Sequence, residues 1–154
     1  MQVRSGVFDI IVNVLCLIQL VGITIYLIVA WGNLPDQIPG HFGADGAVTR
    51  YDDKGILLVL PIIAWVMFIG ISVVERFPQL WNTGVRVTEE NKFRVYRVIK
   101  SLISKVKFIV ITMFVFITII QSLAQSLPIW FSPVFLGVLF ITIIFSFCRL
   151  LLAR

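Results

Sequence analysis

Val7–Trp31, VFDIIVNVLCLIQLVGITIYLIVAW, holds a single charged residue, Asp9, in about 25 positions. An α-helix rises 1.5 Å per residue, so roughly 20 such residues cross the hydrocarbon core of a bilayer. The run exceeds the roughly 7–15 apolar residues of a secretory signal. It ends in Val29-Ala30-Trp31 rather than a small-x-small cleavage site, so a retained anchor is expected. Three further runs share its character, and the expected spans are about 7–31, 55–74, 106–124 and 133–152. Hydrophobic residues make up 59% of the chain and charged ones 14%, with mean hydropathy +1.01, which argues against a water-soluble domain. With no internal repeat, residues 1–154 are expected to form one all-α, four-helix transmembrane domain.

The net charge of +5 raises nucleic acid as a partner, but the placement of the charges points to topology instead. Arg4 precedes span one, and Arg149 and Arg154 close the chain. Arg76, Arg86, Lys92, Arg94, Arg97, Lys100, Lys105 and Lys107 lie between spans two and three, whereas Arg50 and Lys54 alone lie between one and two. The positive-inside rule then puts both termini and the 75–105 segment in the cytoplasm of a bacterial inner membrane. The bilayer is the expected partner of the basic segment, through its anionic lipids. No nucleic acid is expected.

Each span carries some polar signal. Asp9, Asn13, Cys16 and Gln19 fall within about a third of a turn on span one, a face that should look inward, either as packing glue or as a cavity lining. Pro61 predicts a kink in span two. Thr118, Gln121, Ser122 and Gln125 group on one side of span three's outer end, and Thr142, Ser146 and Arg149 stripe span four. Asp9 and Arg149 stand at similar depth and are expected to pair or to share a polar region, with snorkelling of Arg149 as the alternative. Cys16 and Cys148 differ in depth by roughly 10 Å, too far for a disulfide. Before span three, Pro78 and Gly84 break the helix, and Thr88 predicts an N-cap followed by Glu89 and Glu90 on the first turn. Phe93, Tyr96, Ile99 and Ile103 then recur at helical spacing, an amphipathic stretch expected to ride the inner membrane surface and run into span three. Trp31, Trp81 and Trp130 suit interfacial positions.

Asn33–Gly46, NLPDQIPGHFGADG, breaks the greasy pattern with two prolines, two acids and the sole histidine. Pro35 and Pro39 stiffen the backbone, and Gly40, Gly43 and Gly46 permit turns, so an ordered extracytoplasmic loop is expected. Leu34, Ile38 and Phe42 recur every four residues and are expected to dip into the bilayer or the bundle mouth. His41 with Asp36, Asp45, Asp52 or Asp53 is the available metal set, although no spacing demands a metal. No G-x-S-x-G elbow, HExxH helix or P-loop is present, so no catalytic residue and no cofactor are expected.

Leu34-Pro35-x-x-Ile38-Pro39-x-His41-Phe42-x-x-x-Gly46 follows one span, and Lys54 opens the next. Pro78-x-x-x-Asn82 leads into Thr88-Glu89-Glu90-Asn91-x-x-x-x-Tyr96. In these two patterns the chain resembles the small bacterial membrane proteins of domain of unknown function 1648. That domain also forms the N-terminal part of SdpI-type immunity proteins, which protect bacteria from a secreted peptide toxin and act with a membrane-associated repressor. Four spans without the immunity proteins' C-terminal domain set this chain apart from them. The resemblance marks Pro35, Pro39, His41, Gly46, Asn82 and Thr88–Asn91 as family-type residues.

The leading expectation is a non-enzymatic membrane protein that binds an extracytoplasmic ligand, such as an antimicrobial peptide, or a membrane-protein partner through the 32–54 loop. The expected ligand-facing residues are Pro35, Asp36, Pro39, His41, Asp45, Gly46, Gln121 and Gln125, and those of the cytoplasmic segment are Asn82, Arg86, Thr88, Glu89, Glu90 and Asn91. A second reading is a membrane-embedded enzyme or transport component with a metal or proton site at His41, Asp45, Asp52 and Asp53. A third is an accessory subunit of a larger complex. Oligomer formation is open.

Overall fold

A computed structural model describes residues 5–153; Arg4 and Arg154, counted above in the charge pattern, lie outside them. The chain runs α1 (Val7–Ala30), a 3-10 turn (Trp31–Asn33), β1 (Gln37–Phe42), β2 (Val48–Asp53), a second 3-10 turn (Lys54–Leu58) and α2 (Val59–Val74). A third 3-10 turn (Pro78–Leu80), α3 (Lys92–Ser122) and α4 (Phe131–Ala153) complete it. Four helical segments, Val7–Asn33, Lys54–Val74, Lys92–Ser122 and Phe131–Ala153, are long and apolar enough to cross a membrane. The chain is a multi-pass membrane protein by this measure.

Exposure follows the same logic. Val7, Ile28, Val29 and Leu152 are at least 72% exposed, while Asp9, Glu75, Lys100 and Lys107 are buried. Apolar side chains turned outward suit lipid, and charges turned inward avoid it. Lipid tails are as apolar as leucine, so packing and hydrogen bonds rather than the hydrophobic effect hold such helices together. α3 is the hub: α1, α2 and α4 each pack along it. Val12, Cys16, Leu20, Ala64 and Ile111 form the central core. α1 and α3 run in the same direction, and their polar contacts join residues 94–96 apart in sequence.

Several expectations need correction. Pro61 lies in the first turn of α2 rather than mid-span, where its missing N–H interrupts no bond of that helix. The preceding 3-10 turn supplies the rest of the span's length. Asp9 does not pair with Arg149: it turns to Ser104 on α3, and Arg149 is exposed, with no ion-pair partner among the described residues. Gln125 does not continue the face of Thr118, Gln121 and Ser122. α3 ends at Ser122, and Ala124 adopts φ 52, a left-handed conformation that turns the chain away and leaves Gln125 exposed. The bonds Gln125 N to Ile120 O (3.2 Å) and Ala124 N to Gln121 O (2.9 Å) make this a Schellman ending with alanine where glycine is usual. Trp81 is 8% exposed rather than interfacial: its Nε1 donates to Val74 O at 2.8 Å. The amphipathic part of α3 spends its apolar face on protein, since Val95 and Ile99 pack with Trp81, Leu150 and Ala153, and Phe93 alone of the four expected residues is fully turned out.

Candidate functional site

The 32–54 stretch folds as a β-hairpin, not a loop with a helical apolar face. β1 and β2 pair antiparallel, Gln37 opposite Asp53 and Phe42 opposite Val48, with irregular register around His41. An unbroken strand would keep positions 34, 38 and 42 on one face, but Leu34 precedes β1 and the register shifts on either side of His41 set Phe42 apart from Ile38. Ile38 is fully buried with Leu27 and Leu57, Leu34 packs on the same cluster, and Phe42 is only half-buried near the tip.

The hairpin is fastened at both ends. At its base Lys54 N donates to Asp36 O at 2.9 Å, Lys54 Nζ lies 3.1 Å from Asp36 Oδ1, and the ammonium sits 5.9 Å from the Trp31 ring centroid. The Asp36 side chain is 93% exposed, so this ion pair adds at most about 1 kcal/mol. At the tip Gly46 has φ +84 and is buried against Leu127 in the α3–α4 connection, whose N–H donates to Gly46 O at 3.0 Å. A Cβ there would stand 2.3 Å from Leu127 O, so both the backbone angle and the close approach require glycine. Between these ends the Gln121 Nε2 of α3 donates to Pro39 O at 2.9 Å, a carbonyl in a strand that packs against α3. Gln121 Oε1 is buried without a partner among the described residues.

The other face of the hairpin is open. Thr49, Tyr51 and Asp53 alternate along β2 and are exposed, and His41 joins them with its Nδ1 2.6 Å from Thr49 Oγ1. Asp52 is taken up by Arg50 (2.7 Å) and Asp36 by Lys54. Asp45 accepts only the Ala47 N–H, at 3.0 Å, and neither Asp45 nor Asp53 has an ion-pair partner among the described residues. The hairpin therefore presents two uncompensated carboxylates. Among the described residues no three of His, Cys, Asp and Glu come together in a metal-holding group.

A second polar centre lies at the opposite end of the bundle, and sequence reasoning found only its α1 side. Lys107 Nζ, fully buried, is 2.7 Å from Glu75 Oε2, 2.7 Å from Asn13 Oδ1 and 3.2 Å from Ser72 Oγ. Ser104 Oγ lies 2.9 Å from Glu75 Oε1 and 3.2 Å from Asp9 Oδ1, and Asp9 Oδ2 accepts the Gly6 N–H at 2.9 Å. Three helices thus share one ionic network. The inward face expected from Asp9 and Asn13 is real, but Glu75 and Lys107 read as ordinary residues of the basic connection. The missed signal is that Lys100, Ser104 and Lys107 step by four and three, a single helical face continuing into buried Ile111.

The segment before α3 builds turns. Asn82 Oδ1 accepts the Gly84 N–H at 3.1 Å, and Thr88 and Asn91 exchange side chain–backbone bonds of 2.8 and 3.3 Å. Asn91 Nδ2 also donates to Arg86 O at 3.0 Å, and Glu89 pairs with Lys92. Thr88 caps one turn ahead of α3 itself, and Glu90 is exposed.

No solved structure shows a significant match to the chain. An uncharacterized protein of Archaeoglobus fulgidus is 28% identical over 89 residues, covering 53% of this chain and 49% of the archaeal one. The chain thus spans about half the length of that relative. The Pro78–Tyr96 pattern falls outside the matched family segment. Residues 18–65, from mid-α1 through the hairpin into α2, match the family described as Domain of unknown function (DUF1648), whose proteins this chain resembles.

Proposed function

We propose that the chain is a non-enzymatic protein of a bacterial inner membrane, with both termini in the cytoplasm, that binds a cationic peptide through the exposed face of its hairpin. The peptide can be an antimicrobial one, which makes the role immunity-like, or an extracytoplasmic segment of a membrane partner. One observation carries the reading: Asp45 and Asp53 stand exposed and without cations on a hairpin whose other side is fastened to the helices. A rigid acidic platform attracts positive charge without paying much ordering entropy. His41, Thr49 and Tyr51 supply neighbouring polar and aromatic contacts. The Gln121 amide ties the platform to α3, the helix that also carries Ser104 and Lys107, so the bundle can report occupancy.

The test is binding of a fluorescent Lys/Leu amphipathic peptide to protein in neutral-lipid nanodiscs. Asp45→Lys with Asp53→Lys is expected to weaken binding by ~10-fold or more and flatten its salt dependence. Equal binding by the double variant sinks the proposal. For topology, Thr49→Cys is expected to react with impermeant maleimide on intact cells; labelling only after lysis reverses the orientation.

The buried network favours a second reading, a transport component. Ionisable side chains inside a membrane bundle mark ion or proton pathways. In this reading the working site is Lys107, Glu75 and Asp9, not His41. Cation uptake into proteoliposomes that is lost in Glu75→Gln supports it, and unchanged uptake refutes it.

A further inference from the structure

We infer that the groove between α1, α3 and α4 binds one anionic phospholipid, with its phosphate on Lys105. Two hollows of about 260 and about 160 Å3 lie along this side of α3 and share Phe108 and Ile109 as walls. Leu15 on α1 and Thr142 on α4 flank the first, and Val138 on α4 flanks the second. From Lys105 to Thr112 the groove follows α3 for about 10 Å. It exists because α4 packs on α3 but scarcely meets α1, so a strip of α3 between them stays uncovered.

Apolar walls alone accept any acyl chain. Lys105 is what selects. Its ammonium stands 6.0 Å from the Phe8 ring centroid and 5.9 Å from that of Phe145, so rings from α1 and α4 frame it at one end of the groove. Among the described residues no carboxylate pairs with it, whereas Lys107, two positions on, has Glu75. Arg149 lies one turn beyond Phe145 on the same face of α4 and is exposed, adding a second positive charge at this end. A cation framed by aromatic rings is partly dehydrated, which strengthens its hold on an anion. The anion that a bilayer offers beside an apolar chain is the phosphodiester of a lipid, which a lysine binds as a point charge. A lipid with net negative charge gains most, because no second cation on its own headgroup competes with Lys105.

The experiment is native mass spectrometry of the purified full chain from micelles holding phosphatidylglycerol and phosphatidylcholine at equal concentration. One phosphatidylglycerol per chain is expected to survive. Lys105→Ala is expected to lower its retention at least ~10-fold, and Lys105→Arg to preserve it. Arg94→Ala, a charge exposed elsewhere on α3, is expected to change nothing. Equal retention of the two lipids, or equal loss in Arg94→Ala and Lys105→Ala, overturns the inference. If Lys105→Ala does not fold, Thr142→Trp serves instead: it fills the groove and keeps the lysine. Undiminished phosphatidylglycerol on that variant also overturns it.

Discussion

Lys107→Met removes the cation that Glu75 pairs with inside the ionic network, and its cost can be worked from the geometry. Lys107 and Glu75 have side chains 0% and 7% exposed, 2.7 Å apart. At that distance and an effective dielectric of ~20, their attraction is about 6 kcal/mol. Desolvation of both groups offsets much of it, and removing one partner of a buried pair costs about 3–5 kcal/mol. The same change leaves Asn13 Oδ1 and Ser72 Oγ without the ammonium they share. Lys107→Met is therefore expected to lose about 3–5 kcal/mol, a large part of the roughly 5–15 kcal/mol that holds a domain folded. Glu75→Gln is expected to lose somewhat less, since its amide still accepts from the ammonium. The double variant holds no stranded charge at this pair and should recover about 2 kcal/mol or more relative to the sum of the singles. Circular dichroism of unfolding in dodecyl sulfate mixed micelles measures all three. Single losses below about 1 kcal/mol that simply add would refute the claim that this pair clamps the helices.

Two close-packed glycines of the hairpin, Gly46 and Gly40, should differ. Gly46→Ala meets backbone at Leu127 O with φ +84, and is expected to cost about 2–3 kcal/mol and speed proteolysis at residues 43–47. Gly40→Ala meets the Asp52 carboxylate, which can swing aside and give up Arg50, and also Asp52 Cβ at 2.9 Å, which moves only with β2, so about 1–2 kcal/mol is expected from the same unfolding curves. Ala124→Gly relieves the left-handed alanine at the end of α3 and should raise stability by about 0.5–1 kcal/mol, seen as a higher Tm. Cys148 is exposed on a lipid-facing helix and Cys16 is fully buried, so a membrane-permeant maleimide should modify the first quickly and the second only after denaturation.

The spans were legible because membrane crossing is written in composition and length, both one-dimensional properties. The inward face of α1 was legible for a related reason: lipid tolerates polar groups poorly, so Asp9 and Asn13 had one direction to point. The hairpin was not. Its apolar residues at 34, 38 and 42 happen to share a helical spacing, and the strand pairing that overrides it depends on the bulge at Gly40 and on Leu127 far along the chain. Lys107 was counted with the basic connection because it stands at the edge of a span among other cations. What holds it inward is Glu75, at the end of another helix, and one sequence does not announce that meeting. Gln125 failed differently: the face was correctly drawn but extended past the helix that defined it.

The matching directions of α1 and α3 have a mechanical consequence. Lys100 with Ser5, Ser104 with Asp9, Lys107 with Asn13 and Ser122 with Tyr26 keep a nearly constant offset from one end of the bundle to the other. Rivets at both ends of two parallel rods forbid one from sliding or rolling against the other, since a slip of a single residue would strand every polar partner together. The pair moves as a single beam. Motion that carries a signal or opens a path then falls to α4, which meets the beam chiefly along α3, since α2 is tied to the beam by Glu75 and Ser72 near one end and by Trp65, whose Nε1 donates to Thr24 Oγ1 at 3.1 Å, toward the other.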